Sequence, residues 1–196
     1  APMSFDAAYY RRYYENPRTR VIEPDALART VEFLCAYLSY LEIRVKSIVD
    51  VGCGTGAFRA PLAARLPQAV YEGVEASAYA SERFGWTYAS ADRFRPGRQY
   101  DLVICYDVLQ YLDERAAEAA IENLAALTSG ALFFGVLTRS DWDQACDRTR
   151  TDGNVFLRDG DWYRALLTPH FRNLGGGIFL PRDGGVIAYD LETLPA

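Results

Sequence analysis

A glycine-rich turn constrains the fold of this chain more than any other feature. Residues 52–56 read Gly-Cys-Gly-Thr-Gly and directly follow the largely apolar run Ser47–Val51. A strand that turns sharply into a helix needs glycines, because they let the backbone approach a ligand without hindrance from a Cβ atom. Gly52, Gly54 and Ala57 also satisfy the loose dinucleotide-binding fingerprint. The motif predicts a strand, a ligand-binding turn and a helix in succession.

Short apolar runs and amphipathic segments alternate along the rest of the chain. Strands are predicted at 47–51, 69–74, 86–89, 101–106 and 131–137, and helices at 57–66, 77–84, 113–127 and 160–168. After a polar stretch, 171–180 and 185–191 are predicted to form an antiparallel hairpin with its turn at 183–185. We therefore expect the α/β class: a Rossmann-like, seven-stranded, mostly parallel sheet with a C-terminal antiparallel hairpin and helices on both faces.

The first 44 residues are expected to form helices that cover the ligand site as a lid. Tyrosines at helical spacing predict a helix over 4–15, and Pro24-Asp25 opens a second helix that runs to about Leu41. Packing of the tyrosines in the core is an equally good interpretation. Residues 1–2 look like a cloning scar.

Composition narrows the classes of function. The 196 residues carry a net charge of −5, which disfavours a surface for nucleic acid. No apolar run approaches the roughly 20 residues of a membrane span, and the start lacks the layout of a signal peptide. We therefore expect a cytoplasmic protein without membrane contact. Four cysteines fit no zinc spacing and one histidine cannot build a histidine-rich site, so no metal is expected.

Two carboxylates indicate the kind of ligand that the turn would hold. Asp50 lies two residues before the first glycine, where it would repel a diphosphate and attract a cationic group. Glu75 ends the second predicted strand, 19 residues after Gly56, and a carboxylate there can accept both hydroxyls of a ribose. A ligand with a ribose and a positive charge fits better than one with a pyrophosphate. An NAD-dependent oxidoreductase remains the alternative.

With these residues in place, residues 45–137 resemble the class I S-adenosylmethionine-dependent methyltransferases. The resemblance implies that 45–196 is a methyltransferase domain, joined with the N-terminal helices in a single globular unit. S-adenosylmethionine would be its cofactor and S-adenosylhomocysteine its product. Asp50 would help to bind the cofactor's ammonium, and Glu75 with the neighbouring Ala76 its ribose. The residues implied in holding the methionine part are Gly52, Cys53, Gly54 and Gly56.

Two later segments extend the resemblance. Residues 91–94 (Ala-Asp-Arg-Phe) resemble the family's adenine-edge motif, which implies that Asp92 accepts from the exocyclic amine, with Arg93 beside it. Residues 100–112 resemble the segment beneath the reacting methyl group, where many relatives carry His in place of Gln110. The further residues assigned to the site are Tyr106 and Tyr14 for the cofactor, and Asp107 and Tyr111 for catalysis.

The resemblance implies methyl transfer to a small-molecule acceptor, at oxygen or nitrogen rather than at sulfur or carbon. Because a sulfonium methyl group is already activated, in-line alignment without a metal would suffice. The sequence Tyr106-Asp107-Val108-Leu109 differs from the Asp/Asn-Pro-Pro pattern of amino-methylating DNA enzymes, and no Pro-Cys nucleophile is present. Nucleic acid is therefore not expected as a partner. A non-catalytic cofactor-binding module remains a second alternative, and a monomer or homodimer is expected.

Overall fold

One mixed sheet organises the structure, a computed structural model that describes residues 5–20 and 23–194. Its strands are β1 (Ser47–Val51), β2 (Val70–Glu75), β3 (Thr87–Tyr88), β4 (Tyr100–Tyr106), β5 (Thr128–Gly135), β6 (Phe171–Asn173) and β7 (Ile178–Pro181). They lie in the order β3-β2-β1-β4-β5-β7-β6; β1 to β5 pair in parallel, and β7 runs antiparallel to β5 and β6. The predicted Rossmann-like, seven-stranded, mostly parallel sheet is confirmed. The predicted cloning scar at 1–2 lies outside the described residues.

Helices flank the sheet. They are α1 (Ala7–Tyr10), α2 (Pro24–Tyr40), α3 (Arg59–Arg65), α4 (Ala78–Phe84), α5 (Glu114–Leu127), α6 (Arg139–Gln144) and α7 (Gly160–Leu167). Side-chain caps start four of them, α1, α4, α5 and α6; at α5, for example, Asp113 accepts from the backbone N–H of Ala116, and at α4 Ser77 accepts from that of Ala80. Within the described ranges, no helix combines the length and the apolar character needed to cross a membrane.

Two apolar layers enclose the sheet, because alternate residues of a strand point to opposite faces. One layer packs β1 and β4 against α5 and includes Val49, Val51, Val103, Ile121 and Leu124. The other packs the same strands against α2 and α3 and includes Ile48, Leu102, Ile104, Leu34, Leu38 and Leu62. Helices on both faces are thus confirmed. Although α2 belongs to the segment expected as a lid, its buried face is part of this second layer.

The crevice of this sheet opens beside β1, where the strand order reverses. The chain builds outward from β1 to β2 and β3 on one side, and returns to β4 and β5 on the other. In such sheets ligands bind at the carboxyl ends of the strands next to the reversal. At the opposite end, the Asp101 carboxylate accepts from the backbone N–H groups of Lys46 (2.8 Å) and Ser47 (3.0 Å). Asp101 therefore ties the start of β4 to the start of β1.

The C-terminal hairpin exists, but the prediction of its turn and second strand is wrong. Its strands are β6 and β7, and the chain reverses at residues 174–177 rather than at 183–185. Gly175, Gly176 and Gly177 adopt φ values of 79°, 58° and 80°, which favour glycine. Pro181 ends β7, since proline cannot donate a further ladder hydrogen bond. Residues 185–191, predicted as a strand, instead lead into a 3₁₀ turn.

The position of the hairpin turn can be tested by measuring stability, with a matched control. A Cβ atom on Gly177 would lie 2.8 Å from the carbonyl oxygen of Phe134 and require a left-handed φ, whereas one on Gly185 would meet nothing within 4 Å. Gly177→Ala should therefore lower the free energy of unfolding by about 1–3 kcal/mol. Gly185→Ala should leave it nearly unchanged. Urea unfolding of both variants measures the difference. An equal loss of stability in the two variants would contradict a turn at residues 174–177.

Candidate active site

The glycine turn lies where β1 passes into α3. Its first residue, Gly52, has a φ of 79°, and its N–H donates to the carbonyl oxygen of Val74 at 2.7 Å. A Cβ atom on Gly52 would overlap the side chain of Val108, which follows β4. Only glycine suits both the left-handed backbone and this close approach. The turn is thus held between the ends of β2 and β4.

The carboxylate of Glu75 holds the turn from the β2 side. It is 7% exposed, and its Oε2 accepts from the N–H of Gly54 at 2.7 Å, while Oε1 accepts from the N–H of Ser77 at 2.8 Å. Burial raises the pKa of Glu75, and these backbone hydrogen bonds oppose that shift. The hydroxyl of Ser77 donates in turn to the carbonyl oxygen of Phe5 at 2.6 Å. One carboxylate therefore connects the glycine turn, the start of α4 and the N-terminal segment.

Asp50 is the second buried acid of the site. It is 3% exposed, and its Oδ2 accepts a hydrogen bond from the Tyr71 hydroxyl at 2.6 Å. The pKa of Asp50 is raised to about 7, mainly by burial. The charge of Glu75 adds to this shift, and the Tyr71 hydrogen bond opposes it. A buried carboxylate with a neutral partner is stabilised when a cation binds beside it. The position of Asp50 therefore fits a ligand with a cationic group.

Two adjoining cavities form the crevice. One has a volume of about 130 Å³ and reaches Asp50, Tyr106 and Asp152; the other, of about 70 Å³, reaches Glu75 and the segment 89–91. The residues that line both cavities are Tyr9, Tyr14, Gly52, Asp107 and Tyr111. The hydroxyl groups of Tyr9 and Tyr111 lie 3.2 Å apart. The N-terminal segment thus covers the point where the cavities meet.

Most of the site residues predicted from the sequence come together here. Those that line a cavity are Tyr14, Asp50, Gly52, Cys53, Glu75, Ala76, Tyr106, Asp107 and Tyr111. Gly54 instead lies beneath the ring of Tyr14, and Gly56 lies against Trp86. Asp92 is turned toward Arg93, with 3.4 Å between its Oδ2 and the Arg93 Nε, and neither side chain lines a cavity. The roles of all these residues stay predictions.

Sequence reasoning missed part of the lining. Thr151 and Asp152 reach the larger cavity from the polar segment between α6 and α7. Phe58 lines the same cavity and is buried. Buried Gln110 lines it too, and its segment is already predicted from the sequence to lie beneath the reacting methyl group. No local pattern marks Thr151 or Asp152, because their approach to Tyr9 and Tyr111 depends on how a long connection folds back across the sheet. A polar residue in a connection carries no such information.

Asp107 has an unusual environment for an acid. It follows the end of β4 with a φ of 59°, a left-handed backbone that is uncommon outside glycine. The pKa of Asp107 is raised to about 6, mainly by burial. The charge of Asp141 adds to this shift, and the Gln110 side chain opposes it. Backbone strain and a perturbed acid both occur preferentially at functional sites.

Comparison with known proteins places the chain in a family. A family model described as a methyltransferase domain matches residues 20–176, most of the chain. The chain therefore belongs to this methyltransferase family, as the motifs from 50 to 112 predict.

Curated relatives match over part of their length. Trans-aconitate 2-methyltransferase from Azoarcus sp. (strain BH72) is 30% identical over 148 residues, which cover 65% of this chain and 58% of that protein. Nodulation protein S from Bradyrhizobium diazoefficiens is 34% identical over 114 residues, 52% of each protein. The chain thus spans about half the length of the curated relatives it matches.

Solved structures share the fold. The N-methyltransferase NodS from Bradyrhizobium japonicum WM9, in complex with S-adenosylhomocysteine, superposes with a TM-score of 0.62 at 17% identity, covering 90% of this chain and 98% of that one. Magnesium protoporphyrin IX methyltransferase from Synechocystis PCC 6803, with bound S-adenosylmethionine, superposes with a TM-score of 0.57 at 20% identity. The match covers 84% of this chain and 79% of that one. At these identities the likeness shows the fold alone.

The buried charge of Asp50 should reduce the stability of the free protein. Its pKa is raised from 3.8 to about 7 in the folded state, so the folded state binds the proton more tightly than the unfolded chain does. Stability should therefore fall as the pH rises from about 4 to 7, by on the order of 1–3 kcal/mol. Asp50→Asn keeps an acceptor for Tyr71 and removes the charge.

Asp50→Asn should thus unfold at higher urea concentration than the parent at pH 8, and by a smaller margin at pH 5. Asp183→Asn, at an exposed position, is the control and should unfold at the same urea concentration as the parent at both pH values. A variant less stable than the parent at pH 8 would contradict the assignment of a buried, unpaired charge.

Proposed function

We propose that this protein transfers a methyl group from S-adenosylmethionine to a small-molecule acceptor, at oxygen or nitrogen. The observation that carries the proposal is the pairing of Asp50 and Glu75. They lie at the carboxyl ends of the neighbouring parallel strands β1 and β2, next to the glycine turn, and both line the crevice. A carboxylate for an ammonium and a second for a ribose match the two ends of this cofactor. Membership of the methyltransferase family supports the same reaction.

The cofactor would span the two cavities. Glu75 and Ala76, with the segment 89–91 opposite, line the smaller cavity and would hold the adenosine part. Asp50, Gly52 and Cys53 line the larger cavity and would hold the amino-acid part. Further predicted contacts of the cofactor come from Tyr14, Tyr106, Gly54, Gly56, Asp92 and Arg93.

The residues around the junction of the cavities would align the reaction. When bound, the cofactor supplies a methyl group activated on a sulfonium, so the chain must orient the acceptor in line and exclude water. Asp107 and Tyr111 would position the acceptor, and Asp107 would take a proton from it where one must leave. Tyr9 covers the junction and hydrogen-bonds Tyr111. We propose that the segment 5–15 acts as a lid.

The acceptor would be a small molecule, because the two cavities have volumes of only about 130 and 70 Å³ and Tyr9 lines both. The alternative from the sequence, an NAD-dependent oxidoreductase, would place a diphosphate beside Asp50, where a buried carboxylate repels it. Calorimetry with NAD and with S-adenosylhomocysteine distinguishes the two. Tighter binding of NAD would overturn the proposal.

Glu75 provides a sharp test of cofactor binding. Glu75→Ala removes the proposed ribose acceptor and the partner of the Gly54 N–H, so S-adenosylhomocysteine should bind about 10- to 150-fold more weakly. Glu75→Gln should fall in between, since its amide oxygen can still accept. The control is Glu72→Gln on the same strand, where Glu72 pairs with Arg98 at 2.5 Å. Calorimetry measures all three, and parental affinity in Glu75→Ala would place the cofactor elsewhere.

Methyl transfer should proceed without a metal. Among the described residues, no group of three or more His, Cys, Asp and Glu side chains is arranged to hold an ion. The predicted chemistry requires alignment and one proton acceptor, so a chelator should leave the rate unchanged. The measurement is transfer of a labelled methyl group to a small-molecule panel, before and after chelation. A rate that falls with chelator and returns with a divalent ion would contradict the metal-free mechanism.

A further inference from the structure

The charges that line the crevice all have one sign. Within the described part of the chain, the lining contains four carboxylates and no Lys, Arg or His. Under the proposed function, Asp50 and Glu75 contact the cofactor. Asp107 and Asp152 are then left for the acceptor, in a cavity with no cation to balance them. An acceptor with a carboxylate or phosphate group would be repelled there.

Gln110 adds an independent observation. It is 3% exposed and lines the larger cavity, and its side-chain Oε1 is buried without a hydrogen-bond partner. Buried polar atoms in folded proteins are nearly always paired, and an unpaired acceptor calls for a donor. Gln110 and Asp107 line the same cavity, and the Gln110 side chain lies close enough to lower the pKa of Asp107. Together they form a site that accepts hydrogen bonds and has negative charge.

Aromatic rings complete the larger cavity. Tyr9, Tyr14, Phe58, Tyr106 and Tyr111 all line it, and the rings of Phe58 and Tyr106 meet edge to face at 6.0 Å. The faces of such rings attract cations, most strongly where water is excluded. Carboxylates and aromatic faces in one cavity recognise an organic ammonium group better than a neutral hydroxyl.

We infer that the acceptor is a small organic amine, which binds as an ammonium ion between Asp107, Asp152 and the aromatic rings and donates to the Gln110 Oε1. The inference rests on the proposed function and names its substrate class. It selects nitrogen from the two acceptor atoms that the sequence leaves open.

Asp107 and the cofactor supply every group that transfer to the amine requires. The bound ammonium gives one proton to the Asp107 carboxylate, which frees the lone pair of the nitrogen. That lone pair attacks the methyl carbon: the nitrogen–carbon bond forms as the carbon–sulfur bond breaks, and the electron pair of the broken bond stays on sulfur. The products are an N-methylated ammonium and S-adenosylhomocysteine, and the proton on Asp107 passes to solvent.

Matched trios of probes test the acceptor class. Each trio has one scaffold with an amine, a hydroxyl or a carboxylate: benzylamine, benzyl alcohol and benzoate, and the phenethyl and cyclohexyl equivalents. Binding to the full chain saturated with S-adenosylhomocysteine is measured by calorimetry. Methylated products formed with S-adenosylmethionine are identified by mass spectrometry. We expect amines to bind at least tenfold more tightly than the matching alcohols, carboxylates to bind most weakly, and the methyl group to appear on nitrogen.

The variant Asp152→Asn tests whether Asp152 causes the preference for amines. Asp152→Asn keeps an oxygen that can accept from the Asn154 N–H, as Asp152 does at 3.0 Å, but removes the charge. It should weaken amine binding about tenfold and leave the affinity for S-adenosylhomocysteine unchanged. Asp183→Asn removes an exposed charge outside the cavity lining and should change neither.

The outcomes separate the two proposals. Failure of S-adenosylhomocysteine to bind would overturn the proposed function itself. If it binds while amines show no advantage over alcohols and carboxylates, including the case in which no probe binds, the amine inference is wrong and the proposed function stands. An amine preference that Asp152→Asn leaves intact would also overturn the inference as stated.

Discussion

Two hydrogen bonds to one buried carboxylate hold the candidate site together. Glu75 accepts from the Gly54 N–H in the glycine turn and from the Ser77 N–H at the start of α4. The left-handed turn is therefore held against the end of β2, and the hydroxyl of Ser77 fastens the N-terminal segment over it. An acid that the sequence predicts as a ribose acceptor thus also builds the turn. Cofactor affinity and local structure are linked at this residue, so the Gln variant is needed beside the Ala variant.

The crevice concentrates negative charge that the free protein does not neutralise. Asp50 is buried beside a tyrosine hydroxyl, and Asp107 has a left-handed backbone and a raised pKa. Burial of these two charges reduces stability without a ligand, and a cation bound beside them would offset that cost. A cationic cofactor and a cationic acceptor would use the same electrostatics at different points of the crevice.

Segments far apart in sequence cover the crevice, and they are joined by a few polar contacts. The Arg150 guanidinium donates to the carbonyl oxygen of Arg20 at 2.6 Å and pairs with Glu23. This network links the connection that contains Asp152 to the chain just before α2. The acceptor side of the cavity therefore depends on contacts between the N-terminal region and the segment between α6 and α7.

The sequence by itself determined the parallel sheet, the glycine turn, and the placement of Asp50, Glu75 and Asp107 at strand ends, because hydrophobic period and glycine spacing are local signals. The sequence could not determine two features, the position of the hairpin turn and part of the cavity lining. The hairpin reverses at Gly175–Gly177, since the turn must bring β7 beside β5, which is a matter of packing. Asp152 reaches the cavity only through tertiary contacts, and only the structure shows that the Gln110 Oε1 lacks a hydrogen-bond partner. Long-range approach leaves no local pattern, so the fold alone decided which groups line the larger cavity opposite Asp50.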